Sequence, residues 1–260
     1  MGKRDSNGMK EGFGVQTWQN GSKYNGTFKQ NKAFGWGMFY HPDGDIYRGE
    51  FQNDQANGYG EYLHENGAVY YGTWVNDMQT DVGYEIWSDS SQYSGTYLNG
   101  KKDGIGTYLW QDKTMYQGEW KENNIHGFGM YFFCDGRVYV GMWKNNQMHG
   151  YGEFVWKEGK KYYGFYKNDK KSGFGIYYSP NEKILVAFWK NGKQHGFGKY
   201  IHKSKIKYGF WKNGKCEKKY KNESDFYNDL DKNNIKNNIF QWDIDKIKNF
   251  LEIETKMELE

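Results

Sequence analysis

Along most of the chain, small and aromatic residues occupy alternate positions in short runs. In Gly127-Phe-Gly-Met-Tyr-Phe-Phe, residues Gly127, Gly129, Tyr131 and Phe133 share one parity; in Tyr139-Val-Gly-Met-Trp, residues Tyr139, Gly141 and Trp143 do the same. Successive side chains of a strand point to opposite faces, so each run predicts a strand with glycines and rings on one side. The pair of runs recurs every 23 residues. Tyr-x-Gly-x-aromatic starts at Tyr24, Tyr47, Tyr70, Tyr93, Tyr116, Tyr139 and Tyr162, with Leu185 and Lys207 in the last two places. Gly-x-Gly starts at Gly12, Gly35, Gly58, Gly104, Gly127, Gly150, Gly173 and Gly196, with Asp81 in the fourth place. About nine units fill residues 8–215, between a short extension (1–7) and a tail (216–260). A period of this size predicts an array rather than a globule.

Turn signals separate the runs. Asn53-Asp54, Asn76-Asp77, Asn99-Gly100, Asn168-Asp169, Asn191-Gly192 and Asn213-Gly214 follow the first strand; Asn20-Gly21, Asp43-Gly44, Asn66-Gly67 and Asp135-Gly136 follow the second. Asn and Gly accept the positive φ of tight turns between antiparallel strands. Each unit therefore reads as one hairpin, and the chain as an all-β, elongated, single-layer antiparallel meander with a short helical tail. Eighteen strands at roughly 4.8 Å would extend about 85 Å before twist. A glycine lacks Cβ and lets a neighbouring ring lie flat on the backbone, which predicts a core of aromatics over glycines.

Tyr-x-Gly-x-Trp followed by Gly-x-Gly resembles the MORN repeat (membrane occupation and recognition nexus), and the resemblance spans most of the chain. It implies an extended β-sheet with an aromatic groove that takes helices or peptides, and phospholipid binding in some members. The candidate groove or packing rings are Tyr47, Phe51, Tyr70, Trp74, Tyr93, Tyr97, Tyr116, Trp120, Tyr139, Trp143, Tyr162, Tyr166, Trp189 and Trp211. Asp81, the Ser88–Ser91 segment, and Leu185 with Ala187 depart from the pattern, so the fourth and eighth units are expected to bend or pack differently.

Composition changes this picture little. Leu, Ile, Val and Phe make up only about a sixth of the residues, a share that alone suggests disorder. The 24 Tyr, 17 Phe and 11 Trp at fixed phases argue against it. Only Cys134 and Cys216 are present, which fits neither a disulfide scaffold nor a cysteine zinc site and points to a reducing cytosol. No apolar run is long enough for a spanning helix. Gly2 with Ser6 fits the minimal N-myristoylation pattern, which chance often supplies.

Charge is unevenly distributed: residues 131–221 are strongly basic between acidic flanks. Lys157, Lys160, Lys161, Lys167, Lys170, Lys171, Lys190, Lys193, Lys199, Lys203, Lys205, Lys207, Lys212 and Lys215 are candidate anion-binding residues for phosphoinositides or an acidic partner. The plain alternative is a set of turn lysines that keeps sheet edges from pairing.

In the tail, Ser224 is placed to cap a short helix, and Asp231–Asn238 reads as a polar linker. Phe240, Ile244, Ile247, Phe250 and Leu251 form an apolar stripe that predicts a helix over about 243–257, packed on its own sheet or on another molecule. His126, His149 and His195 read as repeat consensus rather than metal ligands, no catalytic set stands out, and no Walker loop or GxGxxG occurs. The rings are committed to packing, so nucleic acid is not expected, nor is a metal or cofactor. The expectation is a non-catalytic scaffold that docks a helix or peptide in a cytoskeletal, cortical or ciliary assembly. The alternative is a peripheral adaptor on anionic phospholipid, and self-association is a further option.

Overall fold

The computed structural model describes residues 2–203 and 205–235. It divides into two units, Met1–Cys134 with Trp143–Asn146, and Asp135–Met142 with the chain from Gln147 onward. The first holds β1 (Gly12–Thr17), β2 (Lys23–Lys29), β3 (Lys32–Tyr40), β4 (Ile46–Gln52), β5 (Gln55–Leu63), β6 (Val69–Val75), β7 (Met78–Ile86), β8 (Gln92–Leu98), β9 (Lys101–Leu109), β10 (Met115–Lys121) and β11 (Asn124–Phe132). After β12 (Val138–Lys144) come β13 (Gln147–Val155), β14 (Lys161–Lys167), β15 (Lys170–Ser179), β16 (Lys183–Lys190), β17 (Lys193–His202), β18 (Lys205–Lys212), β19 (Lys215–Tyr220) and α1 (Glu223–Lys232). From β1 to β11, and again from β13 to β19, each strand pairs antiparallel with the next. The fold is the all-β meander of hairpins that the 23-residue period predicts, with α1 after it among the described residues.

In the first unit Tyr24, Tyr47, Tyr70, Tyr93 and Tyr116 are 0–3% exposed. Each ring covers two strand-paired glycines, as Tyr93 covers Gly95 and Gly106. The phenol donates to the carbonyl three residues on, Tyr93 to Thr96 at 3.1 Å and Tyr116 to Glu119 at 2.9 Å. Rings then meet edge to face: Tyr93 lies 5.3 Å from Tyr97 and 5.4 Å from Trp120. Such contacts add to the burial of each ring.

The first glycine of Gly-x-Gly does something else. Gly58 has φ +106 and sits in a bulge, where the register shifts between Gly49 and Phe51. This resolves the fourth unit, since Asp81 takes the same place at φ +51, and Asp is among the few residues that adopt it. Asp81 pairs with Tyr97 as Gly58 pairs with Trp74, so the expected departure there does not extend to this pairing.

The turns after the first strand have two successive residues at positive φ, such as Glu122 (+47) and Asn123 (+67). The second residue clasps the preceding hairpin. Asn123 donates its N–H to Lys102 O at 2.9 Å, and its Oδ1 accepts from Lys102 N at 2.8 Å. Asp77 does the same to Ala56, whereas Gly100 makes only the backbone bond, to Gln79. Asn123→Gly keeps the positive φ and loses one bond, so it is expected to cost about 1 kcal/mol, with Asn123→Ala costing more. Urea midpoints measure this; a Gly variant as stable as the parent means the clasp is idle.

In the second unit Tyr139 and Tyr162 continue the motif over Gly141–Gly152 and Gly164–Gly175. The eighth unit does pack differently: Leu185 replaces the tyrosine, and Trp211 lies over Gly198 and Gly209 instead. Its opposite face is also closed. Tyr163, Ile176, Ile184, Val186, Phe197, Ile201 and Tyr208 form a buried cluster with Phe226 and Leu230 of α1. The helix is capped by Asn222, whose side chain accepts from Asp225 N at 2.8 Å, and not by Ser224 as the sequence suggests. Asn222 has extended backbone (φ −143, ψ 172), which places the cap two residues earlier. Helix runs on through Asp231 and Lys232, and Ile235 packs on the cluster, so the start of the expected linker is part of the fold. Phe240, Ile244, Ile247, Phe250 and Leu251 lie outside the described residues.

Candidate docking site

The rings chosen from the repeat consensus lie at the bottom of the site. Tyr47, Phe51, Tyr70, Trp74, Tyr93, Tyr97, Tyr116 and Trp120 in the first unit are buried, as are Tyr139, Tyr162, Tyr166 and Trp189 in the second. Trp143 is buried as well, and Trp211 is half-buried. Their polar ends are turned inward: the Trp74 and Trp120 indoles donate to Gly60 O at 3.3 Å and Gly106 O at 3.1 Å. Burial, helped by neighbouring carboxylates, pushes the Tyr47 and Tyr70 phenols well above their ordinary value, and the Tyr24 phenol to about 12.

Above this floor runs a second row that the consensus does not single out. Phe39, His41, Tyr62 and His64 are half-buried and follow one another at ring separations of 4.7, 5.6 and 4.7 Å. Trp87, Tyr108, Trp110, Tyr131 and Phe133 continue it at 5.1, 4.5, 5.4 and 4.6 Å. These rings end each Gly-x-Gly strand and enter the following turn. The parity of Tyr131 and Phe133 with the glycines was the available signal; only the structure shows them open on one side.

Two lysines of this chain already use the site. Lys102 Nζ lies 4.6 Å from the Trp87 ring, 5.1 Å from Tyr93 and 5.8 Å from Tyr108, with Glu85 at 3.7 Å. Lys171 Nζ sits among Trp156, Tyr162, Tyr177 and Trp189 at 4.5–5.1 Å. Burial pulls its ammonium down to about 8, against the attraction of the ring faces for the charged form.

The fourteen candidate anion-binding lysines do not form one platform. Lys171 is in its ring cage, Lys161 pairs with Glu153 at 3.6 Å, and Lys199 is buried. Lys157, Lys160, Lys203, Lys205 and Lys207 are exposed on β18 and beside turns following the Gly-x-Gly strands. Lys167 with Lys170, Lys190 with Lys193, and Lys212 with Lys215 face each other across three successive turns, all exposed. These six share one edge of the second unit.

Among the described residues no helix is long and apolar enough to cross a membrane. No group of three or more His, Cys, Asp or Glu among them is gathered as a metal would require.

Glycine-floored aromatic hairpins repeated every 23 residues define a β-hairpin repeat protein with a ring-lined face. The chain belongs to the MORN repeat family, whose repeat matches residues 6–23, 24–46, 47–69, 93–115, 116–136, 139–161, 162–183 and 187–204. The stretch left out between 69 and 93 holds Asp81 and Ser88–Ser91. No curated protein matches the chain. Among solved structures it is similar to the TCP domain of Drosophila melanogaster SAS-4 (dCPAP) in complex with a proline-rich motif of Ana2, at 10% identity and TM-score 0.37, over 68% of this chain and 90% of that one. It is similar to a mutant TCP10 domain of Danio rerio CPAP at 10% identity and TM-score 0.42, over 80% and 99%. It also matches virginiamycin B lyase from Staphylococcus aureus at 12% identity and TM-score 0.16, over 85% and 87%. At these scores the likenesses assign no function.

Proposed function

We propose that the protein is a non-catalytic scaffold whose half-buried ring row docks a helix or peptide of a protein partner, in a cytoskeletal, cortical or ciliary assembly. The observation that carries the reading is the row itself, ring edges left open on a floor that the buried tyrosines hold rigid. Open aromatic surface on a fixed support is the usual form of a binding hot spot. The compartment follows from family resemblance alone, and the array 8–215 is taken as the docking body. In the second unit the opposite face of the sheet takes a helix of this chain, α1, through Phe226 and Leu230.

A specific observation favours a second reading, a peripheral adaptor on anionic phospholipid: the six lysines on one edge of the second unit. One experiment separates the two. The partner set is captured from the native cell with the parent chain, with Trp87→Ala/Trp110→Ala/Phe133→Ala, and with the six edge lysines changed to Gln; all three are sedimented with phosphoinositide vesicles at rising salt. The docking reading expects the ring variant to lose captured protein at least tenfold while staying folded. Capture that ignores the rings, together with salt-sensitive vesicle binding that needs the lysines, rejects it for the second. Buried rings such as Trp120 and Tyr139 are unsuitable for this test, because their loss would disturb the fold.

A further inference from the structure

One position of the repeat decides whether the ring cage of each hairpin is filled from within. It is occupied by Ala33, Ala56, Gln79, Lys102, Ile125, Met148, Lys171 and Gln194 in turn. Lysine 102 and lysine 171 send an ammonium among the rings, as described above. The four rings around Lys171 have direct equivalents around residue 56, where His41, Tyr47, Tyr62 and Trp74 stand for Trp156, Tyr162, Tyr177 and Trp189. Residue 56 is alanine, whose single methyl cannot reach them. In place of the stem and ammonium there is a cavity of about 320 Å³, bounded by these rings, Phe39, Phe51, Asp54 and Asp77.

We propose that this cavity takes the lysine side chain of a partner polypeptide. Three observations lead there. The equivalent rings, with a tryptophan in the place of His41, twice take a lysine of this chain, so a cage of this shape fits a butyl stem with a cation at its end. Ring faces attract such a cation, more strongly where it is partly desolvated. Two carboxylates bound the cavity, whereas one, Glu85, serves Lys102. Each is held in place by a backbone N–H, Asp54 by Ala33 N and Asp77 by Ala56 N, both at 2.7 Å. Gln55 Nε2 also donates to Asp77 Oδ2 at 3.2 Å. Neither carboxylate forms an ion pair among the described residues, so an arriving ammonium would meet negative charge with no cation beside it. The inference names one contact of the scaffold reading above and rests on it for the polypeptide. Its test needs no partner, so a failed capture and a failed titration are separate results.

The full chain, 15N-labelled at its tryptophans, is titrated with N-acetyl-lysine N-methylamide, with the norleucine analogue that lacks the ammonium, and with the trimethyl-lysine analogue. The reporter is the Trp74 indole N–H, identified by its loss in Trp74→Phe. The lysine compound is expected to shift this resonance at a half-saturating concentration at least tenfold below that of norleucine. Ala56→Lys, a residue this cage accepts elsewhere in the chain, should abolish the shift. Ala56→Met, the residue of the sixth repeat position, is the uncharged plug should the lysine variant misfold, and it should do the same. Equal binding of norleucine, no shift with lysine up to its solubility, or titrations unaltered by a folded plug variant each overturn the proposal. A tenfold preference for trimethyl-lysine overturns the lysine assignment in favour of a quaternary ammonium.

Discussion

Gly106→Ala is expected to cost the first unit about 2–6 kcal/mol, enough to unfold it under conditions where the parent is only marginally stable. A Cβ there would meet the Tyr93 hydroxyl and come within 2.6 Å of ring atom Cε2. The ring has nowhere to go, because it is fully buried and held edge to face between Tyr97 and Trp120. Overpacking of this kind costs about 1–3 kcal/mol. Pushing the phenol off Thr96 O leaves a buried hydroxyl unpaired, for about 1–3 kcal/mol more. Stabilities of domains are commonly only about 5–15 kcal/mol in total. Tyr93→Phe is the control, since it removes the hydroxyl and keeps the ring, for about 0.5–1.5 kcal/mol. Should denaturant midpoints put Gly106→Ala no lower than Tyr93→Phe, the flat seating of the ring on bare backbone is not what holds the hairpins together.

That seating could be read from residue order alone, because a tyrosine, a glycine two places on and a Gly-x-Gly in the next strand fix both parity and partner. What escaped was whatever depends on register between hairpins. The bulge at Gly58 and the clasp of Asn123 on Lys102 join residues that only the pairing brings opposite each other. The covered second face of the late repeats had a signal that was not used. The place held by Glu61, Tyr84, Thr107 and Met130 in earlier repeats is Ile176, with Val186 opposite it. Apolar residues in a mostly polar phase mean that something lies on them, here α1. For the candidate site, consensus pointed to the floor rather than to the open row, since rings that recur most faithfully are those with least room to vary. The cage at Ala56 is the converse case, visible only as a difference among repeats that otherwise agree.

Raising the pH from 10 to about 11.5 is expected to unfold the protein cooperatively, and the stripe tyrosines are the cause. Burial first, and nearby carboxylates after it, raise Tyr47, Tyr70, Tyr93, Tyr116 and Tyr139 above the ordinary value of 10.0, with Tyr24 at about 12; burial, and after it the neighbouring Tyr151, raises Tyr162. A raised folded pKa means that the native state keeps a proton the unfolded chain has lost. The stabilisation is therefore complete below pH 10, falls as pH rises above it, and is fully lost once pH has passed through the folded values. At one unit above the unfolded pKa each such tyrosine forfeits about 1.4 kcal/mol. Seven together forfeit about 10 kcal/mol, comparable to a whole domain's stability. Lys171 acts in the opposite sense: folded near 8 against 10.5 unfolded, it makes stability rise with pH across that window. Lys102, lowered by burial and partly restored by Glu85, acts in the same sense. These are two groups, both opposed by ring attraction, and their window closes where the tyrosine window opens. Stability should thus rise slightly towards pH 10 and then collapse. Tyrosinate absorbance and the far-ultraviolet sheet signal, followed together through an alkaline titration, distinguish the outcomes. Simultaneous, steep changes in both are expected. Tyrosines ionising gradually around pH 10 with the sheet intact would mean that the stripe is open to solvent and the core lies elsewhere.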